Sequence, residues 1–148
     1  MRRAFVVMVV VGMMSVGGWG QNVPQKHIPY LKALGDLRTA RAWLANWQNN
    51  ESREADVKAI AEIDAAMEAI KHASLNDGRP LTSHPVVNEG LPPKERFKIA
   101  VDWIWKAHLD LQHAEDLQEE RGLRERVLRR VDQAHYLVDS TWRTAKWQ

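Results

Sequence analysis

The apolar residues of this chain recur at helical spacing, and they do so twice. Tyr30, Ala33, Leu37, Ala40, Leu44 and Trp47 follow one another at intervals of three and four residues, which keeps one stripe on one face of an α-helix. Adding 67 to each position yields Phe97, Ala100, Ile104, Ala107, Leu111 and Ala114, a second stripe with the same rhythm. An offset of 68 carries Ile60, Ile63, Asp64, Ala66, Met67 and Ile70 onto Leu128, Val131, Asp132, Ala134, His135 and Val138. Two consecutive helices that agree at nearly one offset point to a duplicated helical hairpin. A hairpin of this size cannot bury its own stripe. The fold expected is therefore all-α, a four-helix bundle in which the two copies close on each other.

Helices are predicted over residues about 29–48, 53–75, 94–117 and 121–146. Pro29 suits a first helical turn, where its missing N–H costs nothing, and Asn76-Asp77-Gly78 supplies a stop after the second helix. Between Leu75 and Glu95 stand Pro80, Pro85, Pro92, Pro93, Gly78 and Gly90, so the two hairpins are joined by a long Pro-rich loop. Its Leu81, Val86, Val87 and Leu91 are too apolar for a free linker and are expected to lie along the bundle. The length of this loop leaves both an up-down-up-down order and a crossover within reach.

The first twenty residues read differently. Arg2 and Arg3 precede an apolar run from Ala4 to Val16, followed by small residues ending at Gly20, the pattern of a secretory signal peptide. A run of about 13 residues is shorter than the roughly 20 needed to span a bilayer. The rest, 21–148, is expected to be a single exported domain, periplasmic or secreted, with no membrane span after cleavage. Removing Arg2 and Arg3 from the 21 basic residues leaves 19 against 19 acidic ones. A chain with balanced charge has no global field to draw in nucleic acid. The chain has no cysteine, so neither disulfides nor a lipidated N-terminal cysteine are available, and stability has to come from packing.

Several segments resemble a group of small, uncharacterised exported bacterial proteins: Pro29-Tyr30-Leu31-Lys32-Ala33-Leu34-Gly35-Asp36-Leu37-Arg38-Thr39-Ala40-Arg41, Glu62-Ile63-Asp64-Ala65-Ala66, Asn76-Asp77-Gly78-Arg79, His84-Pro85-Val86-Val87 and Gly122-Leu123-Arg124-Glu125-Arg126. The resemblance implies export and an all-helical domain, and it brings no activity, ligand or catalytic residue. The chain departs from the group at Trp103, Trp105 and Lys106.

Three chemistries can be set against the sequence. Asp110-x-x-His113 and Asp132-x-x-His135 have the acid-histidine spacing of di-metal bundles, with Asp36, Glu62, Asp64 and Glu68 as further carboxylates. A turn near residue 119 would leave His113 and His135 about 15 Å apart, however, so they cannot share a site, and surface histidines beside acids are the simpler account of so common a spacing. The second offset makes Met67 and His135 equivalent inward positions, a pair that could hold haem iron; Met is also an ordinary core filler. No motif for a catalytic nucleophile or phosphate loop is present, so no catalytic residue and no cofactor is assigned. The Glu119–Arg130 charge run reads as a solvated helix face.

The tryptophans are less ordinary. Trp47 and Trp142 fall on inner stripes, Trp43 and Trp103 each precede a stripe residue, and Trp105 follows Ile104 and points away from the core. One stripe cannot bury both rings of Trp103-Ile104-Trp105. Either the Pro-rich loop covers this edge, or Trp43, Trp103 and Trp105 form a surface for a protein partner or a second copy. The function expected is thus that of an exported, non-enzymatic helical-bundle protein acting through a surface, with a periplasmic metal- or haem-binding bundle as the alternative. Intact-mass measurement of the exported protein should give a chain beginning at Gln21; a mass that retains residues 1–20 would contradict cleavage after Gly20.

Overall fold

The computed structural model describes residues 25–45, 53–73 and 77–147. A single 3-10 turn, Gln25–His27, leads into α1 (Ile28–Ala45), followed by α2 (Arg53–His72), α3 (Pro93–Gln112) and α4 (Leu123–Thr144). All four helices pack against one another, and the described residues contain no β-strand.

Each helix touches two neighbours, in the order α1, α3, α4, α2 around the perimeter. Side-chain pairs fix the directions. Tyr30 Oη donates to the Glu115 carbonyl at 2.9 Å and Lys106 Nζ reaches Asp36 at 3.0 Å, so α1 and α3 are antiparallel. His108 pairs with Asp132 at 2.6 Å while Lys98 lies over Trp142, which makes α3 and α4 antiparallel as well. Glu62 meets Arg130 at 2.9 Å, and Ala69 shares a groove with Arg126, giving the same sense for α2 and α4. Arg41 bonds to Asp64 at 2.7 Å across α1 and α2, and the three reversals around the rest of the perimeter leave α1 and α2 antiparallel too. Every neighbour is antiparallel, and α2 and α3, consecutive in sequence, sit on a diagonal pointing the same way. Of the two orders open to the sequence, this is the crossover.

The predicted stripes line the core. Tyr30, Ala33, Leu37, Ala40 and Leu44 are buried on α1, and Phe97, Ala100, Ile104, Ala107 and Leu111 on α3; Trp47 lies outside the described residues. On α2 the buried set is Ala59, Ile63, Ala66, Met67 and Ile70, and on α4 it is Val127, Val131, Ala134 and Val138. Ile60 and Leu128, expected inward, are only partly buried at the flank of each stripe.

Two helix ends differ from the sequence reading. α3 stops at Gln112 rather than near 117, and Ala114 and Leu117 enter the core from the turn that follows. α4 starts at Leu123 rather than 121, because the Asp116 carboxylate accepts hydrogen bonds from the N–H groups of Gly122 (2.8 Å) and Arg124 (3.3 Å) and so caps it. Gly122 has φ +74°, which an L side chain rarely adopts. No proline or glycine marks the earlier break, so periodicity alone ran past it. α2 ends at His72, before the expected 75, with residues 74 and 75 outside the described set; residues 46–48 of the first predicted helix are outside it too.

The non-helical segment 77–92 runs back along α1, held by one guanidinium. Arg38 is only 4% exposed, pairs with the Asp77 carboxylate, and donates from Nε to the Pro80 carbonyl at 3.1 Å and from Nη2 to the Arg79 carbonyl at 3.0 Å. It satisfies three positions within four residues, and holds the Asp77 carboxyl below its ordinary range. Arg38→Met should release this segment while leaving the helical core folded. Tryptic cleavage after Arg79 is expected to accelerate about tenfold or more with little change in melting temperature, and unchanged resistance would contradict the clamp.

Candidate functional site

Ile104 is fully buried, and a helix turns about 100° per residue, so the indoles on either side of it must diverge. Trp103 goes toward α1. It is half-buried against the core, Lys106 Nζ stands 4.5 Å above its ring, and it shares a cavity of about 480 Å³ with Asp36, Ser83, His84 and Pro85. The segment 77–92 therefore runs alongside this edge. Val87 is buried as expected, but Val86 is 99% exposed and does not pack against a ring; successive residues of an extended segment face opposite ways.

Trp105 goes the other way, into the seam between α3 and α4, and is 46% exposed. Its ring stacks on His108 with centroids 4.6 Å apart and planes 8° apart, and lies 5.4 Å from His135. His108 is fixed in turn by Asp132, at 2.6 Å from Nδ1. Further along the seam Trp142 lies between the cations of Lys98 (5.7 Å) and Arg143 (5.5 Å). Leu109, one turn on from Trp105, and Tyr136, next to His135, are large apolar side chains left exposed. Trp43 is half-buried against the core. Of the three tryptophans expected on a partner surface, then, only Trp105 presents an exposed face.

The metal candidates are dispersed. His113 is exposed just past the end of α3, Asp110 lies beside Asp36, Asp132 is engaged by His108, and His135 meets Trp105. Among the described residues no three metal-ligating side chains come together. The haem pair also separates: Met67 is fully buried in the core, whereas His135 is half-buried on the α3–α4 seam. The reason is angular. The buried stripe of α4 runs through Val131, Ala134 and Val138, and His135, one residue past Ala134, is rotated toward α3 and its indole.

The sequence pattern assigns no role to His108, Asp56 or Arg96, and it offers Asp36 only as a possible metal ligand and Lys106 only as a departure from the resembling group. Asp36 gives one oxygen to Lys106 and leaves the other without a partner; burial, reinforced by nearby Asp110 and opposed by Lys106, pushes its pKa up to about 6. Asp56 on α2 is buried with neither oxygen bonded, and burial lifts it to about 7 against the pull of Arg96, which is itself buried at the start of α3 with Nε and Nη2 unpartnered. A signal existed for Asp56 and Arg96: stepping each stripe back by three or four residues, from Ala59 and from Ala100, reaches them.

No family model, no curated protein and no solved structure matches the chain. Function has to be argued from the side chains themselves.

Both raised carboxyls bind a proton more tightly in the folded than in the unfolded chain, so their contribution to stability is full below about pH 4 and is lost as pH rises through 6 to 7. Thermal melts should show stability falling from about pH 5 to pH 8. Asp56→Asn should flatten the upper part of that fall and raise the melting temperature at pH 8 by about 3–6 °C. An unchanged slope in the variant would show that Asp56 is not the titrating group.

Proposed function

We propose that the mature chain is an exported, non-enzymatic protein that works through the outer face of α3 and α4, engaging a partner protein or a second copy of itself. The observation that carries this reading is Trp105, a large indole held by a stacked imidazole and left open to solvent. A ring already fixed by His108, which Asp132 fixes in turn, loses little conformational freedom on docking. Tryptophan and tyrosine are the side chains that most often dominate binding at interface centres. Tyr136 and Leu109 extend the same apolar character.

The finer architecture belongs to the same reading: a four-helix bundle of two duplicated hairpins joined by a long Pro-rich loop. The like burial of Ala59 and Val127, Ile63 and Val131, Ala66 and Ala134, and Ile70 and Val138 supports it. Export to the periplasm or medium is supported by the leader pattern of residues 1–20, and membership of the group of small exported helical proteins by the segments quoted above. No helix among the described residues is long and apolar enough to cross a membrane.

Placing a photo-crosslinking amino acid at Tyr136 in producing cells tests the surface directly. Discrete adducts are expected, either of twice the chain mass or with one partner, and Trp105→Ala should reduce their yield about tenfold or more. Absence of adducts, or adducts of undiminished yield in Trp105→Ala, would overturn the reading.

A further inference from the structure

The groove between α2 and α4, on a different face from the tryptophan seam, holds a charge pattern that packing does not use. Its α2 side is low because Ala65 and Ala69 face it, and α4 raises the opposite wall with Arg126, Arg129, Arg130 and Gln133 around about 560 Å³. That volume is within the range of small-molecule sites. The stretch from Arg126 to Gln133 covers about 10 Å of helix axis.

The three guanidiniums are differently occupied. Arg130 Nη1 donates to Glu62 at 2.9 Å. Arg126 donates from Nη1 to the Arg121 carbonyl at 2.9 Å and from Nη2 to Glu120 at 3.3 Å, bonds that hold it extended along the wall. Arg129 makes no hydrogen bond or ion pair among the described residues. One lining carboxylate, Glu62, thus opposes three lining cations, although the chain beyond residue 20 has balanced charge. The positive end of α4 adds little here, because Asp116 already caps it.

Guanidinium forks match the oxygens of phosphate, and three of them rooted along about 6 Å of helix axis fit charges spread over a chain rather than a single carboxylate. We infer that this groove binds a small anion carrying at least two phosphate groups, held by Arg126, Arg129 and Arg130. Glu62 is its built-in competitor: the ligand takes Arg130 from it, and Glu62 turns to solvent.

The probe is inorganic triphosphate, titrated calorimetrically into the full mature chain at low ionic strength. Saturable binding to one site is expected, weakening as salt is added. Arg129→Gln should lower the affinity about tenfold or more, and Glu62→Gln should raise it several-fold, since one removes a charge-assisted donor and the other the competing carboxylate. Opposite shifts from two charge-altering changes outside the core cannot come from a common loss of folding, which circular dichroism checks. Absence of triphosphate binding, or variants that leave the affinity where it was, would overturn the assignment. So would binding to phosphatidylglycerol vesicles without binding to triphosphate, which would make the groove a lipid-facing surface instead.

Discussion

The arrangement depends on one constraint: α2 and α3 follow one another in sequence yet lie on a diagonal and point the same way. The chain between them has to travel the full length of a helix, about 30 Å for twenty residues. A segment that long and that rich in proline closes only scattered turns of its own, from Ser83 to the Pro80 carbonyl and from Leu91 to that of Asn88, and the Arg38 guanidinium ties it to α1 through the Arg79 and Pro80 carbonyls. From this follows the asymmetry of the two indoles of α3. The returning segment runs along the α1 side beside Trp103, and nothing among the described residues returns over the α3–α4 side, where Trp105 stays open.

Much of the helical content was legible because burial imposes a period of 3.6 residues, and that period survives in every stripe from Tyr30 to Val138. Helix ends were less so. The start of α4 is set by Asp116 reaching forward six and eight residues to the N–H groups of Gly122 and Arg124, a capping that no local spacing announces. The candidate site was read in part. The divergence of Trp103 and Trp105 follows from helical geometry and the burial of Ile104, but the partner that stacks on Trp105 is His108, three positions along the same helix, which has no acid three or four residues to either side and so carries no ligand-like spacing. The ligand candidates Met67 and His135 part for the complementary reason: equivalent sequence positions differ by a small rotation, enough to turn one side chain into the core and the other to the seam.

The buried charges mark where stability yields to something else. Asp36, Asp56 and Arg96 each keep at least one polar atom without a hydrogen bond, a costly condition in a chain with no disulfide to offset it. Asp56 and Arg96 sit at the starts of stripes, below Ala59 and beside Phe97, and Asp36 sits mid-stripe beside Leu37. An apolar replacement would pack at least as well there. Asp56 and Arg96 bring this cost to the starts of the two diagonal helices, α2 and α3.

The uniformly antiparallel perimeter has an electrical consequence. At each end of the molecule two helix N-termini meet two C-termini, so the four backbone macrodipoles cancel in pairs along every edge. Neither end is an anion trap or a cation trap. Whatever charge the protein presents to its surroundings is therefore written in side chains along its flanks, where single substitutions can rewrite it without disturbing the backbone beneath.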